Sequence, residues 1–182
     1  MRQCRSGSRG FALAELLVAL AIVGLVLVML TGLLQHGHQT YLAGTARLEA
    51  QQNARVALER LGRELREAGI DPRGIGFPPL VNPTSTGFTI QNDLNGDGVI
   101  AGNRETITYS LRGRTLRRSA GGGAQTLIDG VESLTFTYLD AGGNPTQAPG
   151  EIRSVLITIT TSPRGPVSGG VSMTTQVRLR NR

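Results

Sequence analysis

The sequence lacks lysine and tryptophan, has a single cysteine, Cys4, and draws only 4% of its 182 residues from the aromatic types. One cysteine excludes a disulfide-stapled scaffold, and so few aromatic side chains argue against a platform on which nucleic-acid bases stack. Charged residues make up 18% of the chain, which is too few for a disordered polyelectrolyte. The length fits one domain of ordinary size with an appendage.

Positive charge in this chain comes from arginine alone, 19 residues in all, and the net charge is +6. Such a charge attracts nucleic-acid phosphates or an anionic membrane surface. Arg2, Arg5 and Arg9 contribute half of this excess and precede a long apolar segment. The remainder of the chain is therefore only weakly basic, and net charge gives little support to nucleic-acid binding.

The longest apolar run, residues 11–34, has 24 residues with one charged side chain, Glu15, and no proline. As a helix it would measure about 36 Å, enough to cross a hydrocarbon core of about 30 Å with some tilt. Secretory signal peptides have shorter apolar regions, commonly about 7–15 residues, followed by a small-residue cleavage site. The run is therefore predicted to be a retained membrane helix, and the arginines before it predict a cytoplasmic N-terminus.

Glu15 is the exception within this apolar run. A carboxylate in a hydrophobic segment costs on the order of a few kcal/mol and by default indicates a function. Two interpretations stay open at this point. Either the side chain lies one turn into the helix and extends toward the lipid headgroups, or it pairs with a positive charge supplied from elsewhere.

Residues 9–15, RGFALAE, followed by LLVALAIVGLVLVML, resemble the class III signal of type IV prepilins and of type II secretion pseudopilins. The resemblance implies that a prepilin peptidase cuts between Gly10 and Phe11 and then methylates the new N-terminal Phe11. It also implies that Glu15 neutralises the α-amino group of a neighbouring subunit when helices pack into a filament. Pairing makes two charges tolerable that would each be costly alone in lipid.

The resemblance also sets the predicted domain organisation. Residues 1–10 would be a cytoplasmic leader that is cleaved, and Cys4 would leave with it. Residues 11–34 would form the transmembrane helix, 35–70 its amphipathic continuation, and 71–182 an exported globular domain rich in β-sheet. The protein is thus expected to cross the inner membrane once, with its C-terminal domain in the periplasm, and to be assembled into a pilus or pseudopilus.

The predicted continuation of the helix is amphipathic. Its apolar stripe recurs at three- and four-residue steps. The stripe consists of Ala54, Leu58, Leu61, Leu65 and Ala68. Charged residues fill the other faces, and ion pairs at i,i+4 spacing are predicted between Glu59 and Arg63 and between Arg60 and Glu64.

The helix is predicted to end near Ala68, because Gly69 and then Asp71-Pro72 are a helix-capping glycine and a helix breaker. Four glycines within the helix are expected points of bending or local melting. They are Gly24, Gly32, Gly37 and Gly44. Residues 41–69 also resemble the corresponding region of PilW-like minor pilins.

Beyond residues 71–83, which are rich in proline, glycine and asparagine, the chain has short β-like runs separated by turn residues. The predicted strands are residues 87–91, 105–111, 115–118, 133–139, 155–160 and 171–180. Their alternation of apolar and polar side chains predicts an antiparallel sheet with one buried face, covered by the stripe of the helix. The predicted fold class is therefore α+β and pilin-like, a long N-terminal helix packed on an antiparallel β-sheet.

Residues 93–100 read D-x-N-x-D-G-x-I, the first half of an EF-hand-type calcium loop. The candidate calcium ligands are Asp93, Asn95, Asp97, the backbone carbonyl of Val99, and Glu105. An EF-hand has a bidentate Glu at its twelfth position, where this chain has Arg104, with Glu105 one residue later. The alternative is a turn rich in Asn, Asp and Gly that joins two strands without an ion. The cofactor prediction is accordingly none, with calcium as the open alternative.

The densest positive cluster lies on a predicted hairpin around Gly113. It consists of Arg112, Arg114, Arg117 and Arg118. Arginines there can bind DNA phosphates or acidic partner subunits, but no aromatic residue interleaves with them and no nucleic-acid motif is present. The favoured interpretation is a basic hairpin that serves solubility, and nucleic acid is not an expected partner.

The sequence has no recognisable catalytic motif. Its two histidines, His36 and His38, stand apart from any Ser/Asp pairing, and neither HExxH, a P-loop nor GxSxG occurs. The protein is therefore predicted not to be an enzyme.

The function that the resemblance implies is structural: a minor pilin, PilW-like, of a type IV pilus or of its initiation complex at the tip. The expected partners are the prepilin peptidase, other major and minor pilins, and the inner-membrane assembly platform. The first alternative is a J-type minor pseudopilin of a type II secretion system, because residues 129–140 and the strand that follows resemble both kinds of protein. The second alternative is an unprocessed, membrane-anchored binding domain.

Overall fold

The computed structural model describes residues 13–101, 104–163, 165 and 169–181. The chain divides into two compact units, Met1–Ala43 and Gly44–Arg182. In the first unit all the described residues are helical. The second unit contains the end of the same helix and the strands of the described chain.

The helix α1 (Leu13–Glu67) has 55 residues and is uninterrupted, including at the four glycines where bending was expected. Gly69, with φ +82°, follows its last turn. A Cβ atom at this position would lie 2.6 Å from the carbonyl oxygen of Asn181, so both the backbone conformation and the space require glycine. The predicted end of the helix is confirmed, whereas its predicted start at Phe11 lies outside the described residues.

Short strands make up most of the second unit. They are β1 (Leu80–Thr84), β2 (Gly87–Gln91), β3 (Thr106–Arg112), β4 (Thr115–Ser119), β5 (Ala124–Ile128), β6 (Val131–Leu139), β7 (Ser154–Thr161) and β8 (Val171–Arg178). The six predicted strands correspond to β2, β3, β4, β6, β7 and β8, with shifts of up to two residues at their ends.

The strands form two antiparallel sheets rather than the one sheet expected from the sequence. The first sheet has the order β1-β2-β3-β4-β5 and the second has the order β6-β7-β8. The division falls at Gly130, whose φ is +77°. After this turn the N–H of Val131 donates to the carbonyl oxygen of Arg114 at 2.9 Å, and β6 pairs with β7 instead of β5.

The core lies between the stripe of α1 and the two sheets, and its side chains form one hydrophobic cluster. All five predicted members of the stripe are buried, with Leu61 and Leu65 fully so. Phe88 of β2 and Phe136 of β6 pack edge to face with their ring centroids 4.9 Å apart. Aromatic packing of this kind joins the two sheets directly, and the α+β, pilin-like fold is confirmed.

A second contact between the sheets is polar. The hydroxyl of Tyr138 donates to the carbonyl oxygens of Thr84 and Gly87, at 2.7 and 2.8 Å. Gly87 also allows a close approach of β3, because a Cβ atom there would lie 2.5 Å from the carbonyl oxygen of Tyr109. The β1–β2 hairpin therefore packs closely on β3 of its own sheet and is hydrogen-bonded to β6 of the second sheet.

Candidate functional site

The apolar part of α1 is the main candidate site. It contains 18 consecutive residues that are strongly apolar, and none of this stretch is buried. Between residues 13 and 34 the large apolar side chains are exposed on every face, from 46% at Val26 to 76% at Leu13. A helix that is apolar all round is stable when lipid or other helices cover it. Its length and composition are those of a membrane-crossing helix.

The predicted assembly residue, Glu15, lies in the first turn of the helix as described and is exposed. A negative charge at this end interacts favourably with the helix macrodipole. The ion pairs found among the described residues involve Glu59 and Glu64 rather than Glu15. The predicted cleavage and methylation residues, Gly10 and Phe11, lie outside the described residues, so the roles of all three stay predictions.

The predicted calcium residues 93–99 form a compact loop between β2 and β3. Asp93 is fully buried, and its carboxylate accepts the backbone N–H groups of two glycines at 2.7 and 3.1 Å. The Asn95 Oδ1 atom accepts the N–H of Asp97 at 2.9 Å, and Asp97 Oδ1 accepts the N–H of Val99 at 2.7 Å. Each of these side chains therefore accepts hydrogen bonds from backbone N–H groups that lie two to five residues later in the chain, as in Asx turns.

Glu105, the remaining predicted ligand, is also buried. Its Oε1 atom accepts the N–H of Leu94 at 3.3 Å, so the structure does bring Glu105 to the same loop as Asp93. Within the described residues, however, no group of three or more His, Cys, Asp and Glu side chains is arranged to hold a metal ion. The hydrogen bonds suit the ion-free turn as well as a calcium loop, and calcium binding stays a prediction.

The basic cluster around Gly113 is smaller than its sequence indicated. Arg112, Arg114 and Arg117 are exposed on the β3–β4 hairpin. Arg118 instead points inward, with 17% of its side chain exposed, and binds Glu64. The exposed surface of the cluster therefore carries three positive charges.

Glu64 is the centre of a polar cluster that joins α1 to the first sheet, and sequence reasoning placed it wrongly on the helix surface. Its carboxylate accepts the hydroxyl of Tyr109 at 2.6 Å and the Nε of Arg118 at 3.0 Å. The predicted pair with Arg60 is confirmed at 2.6 Å. The other predicted pair was Glu59 with Arg63, but in the structure Glu59 binds Arg55 instead.

The hydrogen bonds to Glu64 determine its ionisation. Burial by itself raises the pKa of the Glu64 carboxyl, but the bonds from Tyr109, Arg118 and Arg60 outweigh it and hold the pKa below its ordinary value. Burial and the bond to Glu64 raise the pKa of the Tyr109 hydroxyl. The cluster is thus a charged carboxylate held by a neutral phenol and two cations, an arrangement that fastens the helix to the sheet.

One sequence signal does point to the burial of Glu64. The residue lies three positions after Leu61 and directly before Leu65, so it falls within the apolar stripe at helical spacing. A charged residue in such a stripe needs partners from the opposing surface. Those partners, Tyr109 and Arg118, lie on strands far along the chain and cannot be identified from spacing.

Residues 5–31 match the family model described as the prokaryotic N-terminal methylation motif. This match spans the predicted cleavage junction and most of the apolar run, and it supports the class of type IV prepilin-like proteins. No curated protein has significant sequence similarity to the chain.

The matched motif indicates a processed protein of the pilin or pseudopilin type. Together with the exposed apolar helix, it supports a membrane-anchored chain. The motif also implies cleavage by a prepilin peptidase and assembly with other pilins. The long N-terminal helix on antiparallel sheets agrees with this class.

Proposed function

We propose that this protein is a minor pilin, a structural subunit of a type IV pilus or of the complex that initiates the pilus at its tip. The prepilin peptidase removes residues 1–10 and methylates Phe11. The apolar part of α1 then holds the chain in the inner membrane, with the C-terminal domain in the periplasm, until the assembly platform moves it into a filament.

The observation that carries the proposal is the apolar helix, exposed on every face and largely contained in the matched methylation motif, residues 5–31. Lipid covers such a surface before assembly, and helices of neighbouring subunits cover it afterwards. In the filament Glu15 pairs with the freed α-amino group of a neighbour, since each of these charges is costly in an apolar environment without a partner.

Mass spectrometry of the protein extracted from membranes tests the first step. We expect a chain that lacks residues 1–10 and carries one additional methyl group. A Gly10→Val variant should stay uncut, because a branched side chain replaces the residue at the scissile bond. Gly7→Val is the matched control in the same leader and should be processed normally.

Detection of intact Met1 in the unaltered protein would contradict the proposal. That result would support the alternative of an unprocessed, membrane-anchored binding domain, which needs neither the peptidase nor other pilins.

A minor pseudopilin of a type II secretion system has the same processing and the same helix, and residues 5–31 fit both. Deletion of the gene separates the two systems. Loss of surface pili with normal protein secretion supports the minor pilin, whereas loss of secretion with normal pili supports the pseudopilin.

A further inference from the structure

An elongated groove runs between β8 and the second half of α1, within the second unit of the chain. It is named here the β8 groove, and it is lined on the helix side by Arg55, Gly62 and Arg66 and on the strand side by Met173, Val177 and Arg178. The groove is a row of three adjoining hollows of about 360, 480 and 490 Å³. Neighbouring hollows share lining residues, so the surface is continuous.

The strand side of the β8 groove has an open backbone edge. β8 is the last strand in the order β6-β7-β8, and among the described residues no other strand pairs with its far side. The N–H of Leu179 donates to the carbonyl oxygen of Arg153 at 2.9 Å, which fixes the alternation along β8. Residues of even number, such as Thr174 and Gln176, therefore direct their N–H and C=O groups to the open side. Such an edge is a template for another strand.

The helix side leaves space beside this edge. Gly62 has no side chain, and a Cβ atom there would already lie 3.6 Å from Val177 Cγ2. The missing side chain leaves part of the groove floor beside Val177 uncovered. Met173 and Val177 add an apolar floor, which suits the side chains on one face of an extended peptide.

The charged side chains that line the β8 groove are mostly positive. The arginines that line its three hollows are Arg55, Arg63, Arg66, Arg153, Arg178 and Arg180. Glu59 is the acidic residue among the same lining residues, and it is already paired with Arg55 at 2.9 Å. The surplus of arginine argues against a second copy of the same edge, because two such edges would repel each other.

From these features we propose that the β8 groove binds an extended acidic segment of another polypeptide, which adds to the open edge of β8 as a further strand. Its backbone pairs with the even-numbered residues of β8, and its carboxylates meet the arginines on both sides. The open backbone edge favours a polypeptide over nucleic acid, because nucleic acid has no matching ladder of N–H and C=O groups. This inference stands independently of the pilin function.

Fluorescence anisotropy with the full chain in detergent micelles tests the proposal. The probe is a labelled peptide of alternating valine and glutamate with eight residues, the length of β8. A lysine-for-glutamate peptide tests the charge requirement. A glutamate peptide N-methylated on alternate backbone nitrogens, prepared in both registers, tests strand pairing, because methylation removes the donors. We expect the first peptide to bind at least about tenfold more tightly than the lysine peptide and than the N-methylated peptide whose methyl groups face β8. The N-methylated peptide of the other register keeps the donors that face β8 and should still bind.

Charge-reversed variants locate the site. Arg178→Glu with Arg180→Glu should weaken binding of the glutamate peptide by at least about tenfold, whereas Arg112→Glu with Arg114→Glu makes the same charge change on the β3–β4 hairpin and should leave binding within about twofold. Thr174→Pro removes one backbone donor from the open edge, where proline is tolerated, and should also weaken binding. Circular dichroism verifies that each variant is folded.

Three results with the peptides would overturn the proposal. The first is equal binding of the glutamate and lysine peptides, and the second is equal weakening by the two charge-reversed pairs. The third is full binding of both N-methylated peptides, which would show anion attraction without strand addition. A DNA oligonucleotide that binds through Arg178 and Arg180 while the glutamate peptide does not bind would make the groove a nucleic-acid surface instead.

Discussion

The two parts of α1 differ in what covers them, although one unbroken helix contains both. Leu25 in the first part is 59% exposed, whereas Leu61 in the second part is fully buried. Both parts are rich in helix formers, so helix propensity does not separate them. The arrangement of apolar residues does: they surround the first part and form a single stripe on the second. The first part therefore needs partners outside the chain, and the second finds them in its own sheets.

The largest expected effect concerns the charge in the first part. Under the proposed pairing, Glu15→Ala removes the partner of the neighbour's α-amino group in an apolar environment, and incorporation into filaments should fall by at least about tenfold. The measurement is the ratio of this protein in sheared filaments to that in membranes. Glu49→Ala removes an exposed acid from the same helix and should assemble normally. Equal incorporation of the two variants would contradict the proposed role of Glu15.

Truncation of one leucine in each part shows which part of α1 stabilises the C-terminal domain. Leu61→Ala opens a cavity in the core and should lower the free energy of unfolding of the C-terminal domain by about 2–5 kcal/mol. Leu25→Ala should change the same quantity by less than about 0.5 kcal/mol, because Leu25 contributes nothing to that core. Denaturant unfolding of the full chain in micelles, followed by near-ultraviolet circular dichroism of its tyrosines, measures both. Similar losses would mean that the first part also supports the domain.

The Glu64 cluster gives a smaller effect that depends on pH. Glu64→Gln removes the charge that Arg60 and Arg118 bind and should cost about 1–3 kcal/mol at neutral pH. The folded-state pKa of Glu64 is lowered, so its stabilisation is present above the unfolded value of about 4.3 and is lost as pH falls through the folded value. The difference between the wild type and Glu64→Gln should therefore narrow below about pH 4.3.

Unfolding of both proteins between neutral pH and acid provides the measurement. Glu67→Gln is the control, because it changes an exposed acid one turn along the same helix. A gap between wild type and Glu64→Gln that stays constant across this range would show that the charge of Glu64 does not stabilise the fold.

The smallest expected effect concerns the loop of residues 93–99. A calcium site predicts a higher melting temperature in calcium than in magnesium, and Asp97→Asn should abolish that difference because it removes a charged ligand. The ion-free turn predicts equal melting temperatures in both ions for both proteins. Thermal unfolding of the full chain in each ion distinguishes the two interpretations.

Most of the fold could be predicted from local patterns, and the two missed strands show where those patterns stop. β1 contains Asn82, with φ +51°, and Pro83, which are residue types typical of loops. It is nevertheless an edge strand, where proline costs no ladder hydrogen bond. β5 has three exposed residues at its start, so it lacks the alternation that marks a half-buried strand.

The candidate sites also differ in whether local sequence patterns could predict them. The leader, the apolar helix and Glu15 are contiguous in sequence, and residues 5–31 alone match the methylation motif. The cluster around Glu64 joins residues 45 and 54 positions apart. The β8 groove likewise combines α1 with the last strand of the chain, and spacing along the chain does not indicate either arrangement.

The sequence by itself determined the long helix, its apolar and striped parts, its end at Gly69 and six of the strands, because each depends on residues a few positions apart. Only the tertiary structure decided that the strands divide into two sheets and that Glu64 and Arg118 are buried together. It also decided that one edge of β8, beside several arginines, is left without a partner strand in the described part of the chain. These features depend on which distant surfaces meet when apolar side chains are removed from water, and local periodicity does not specify that choice.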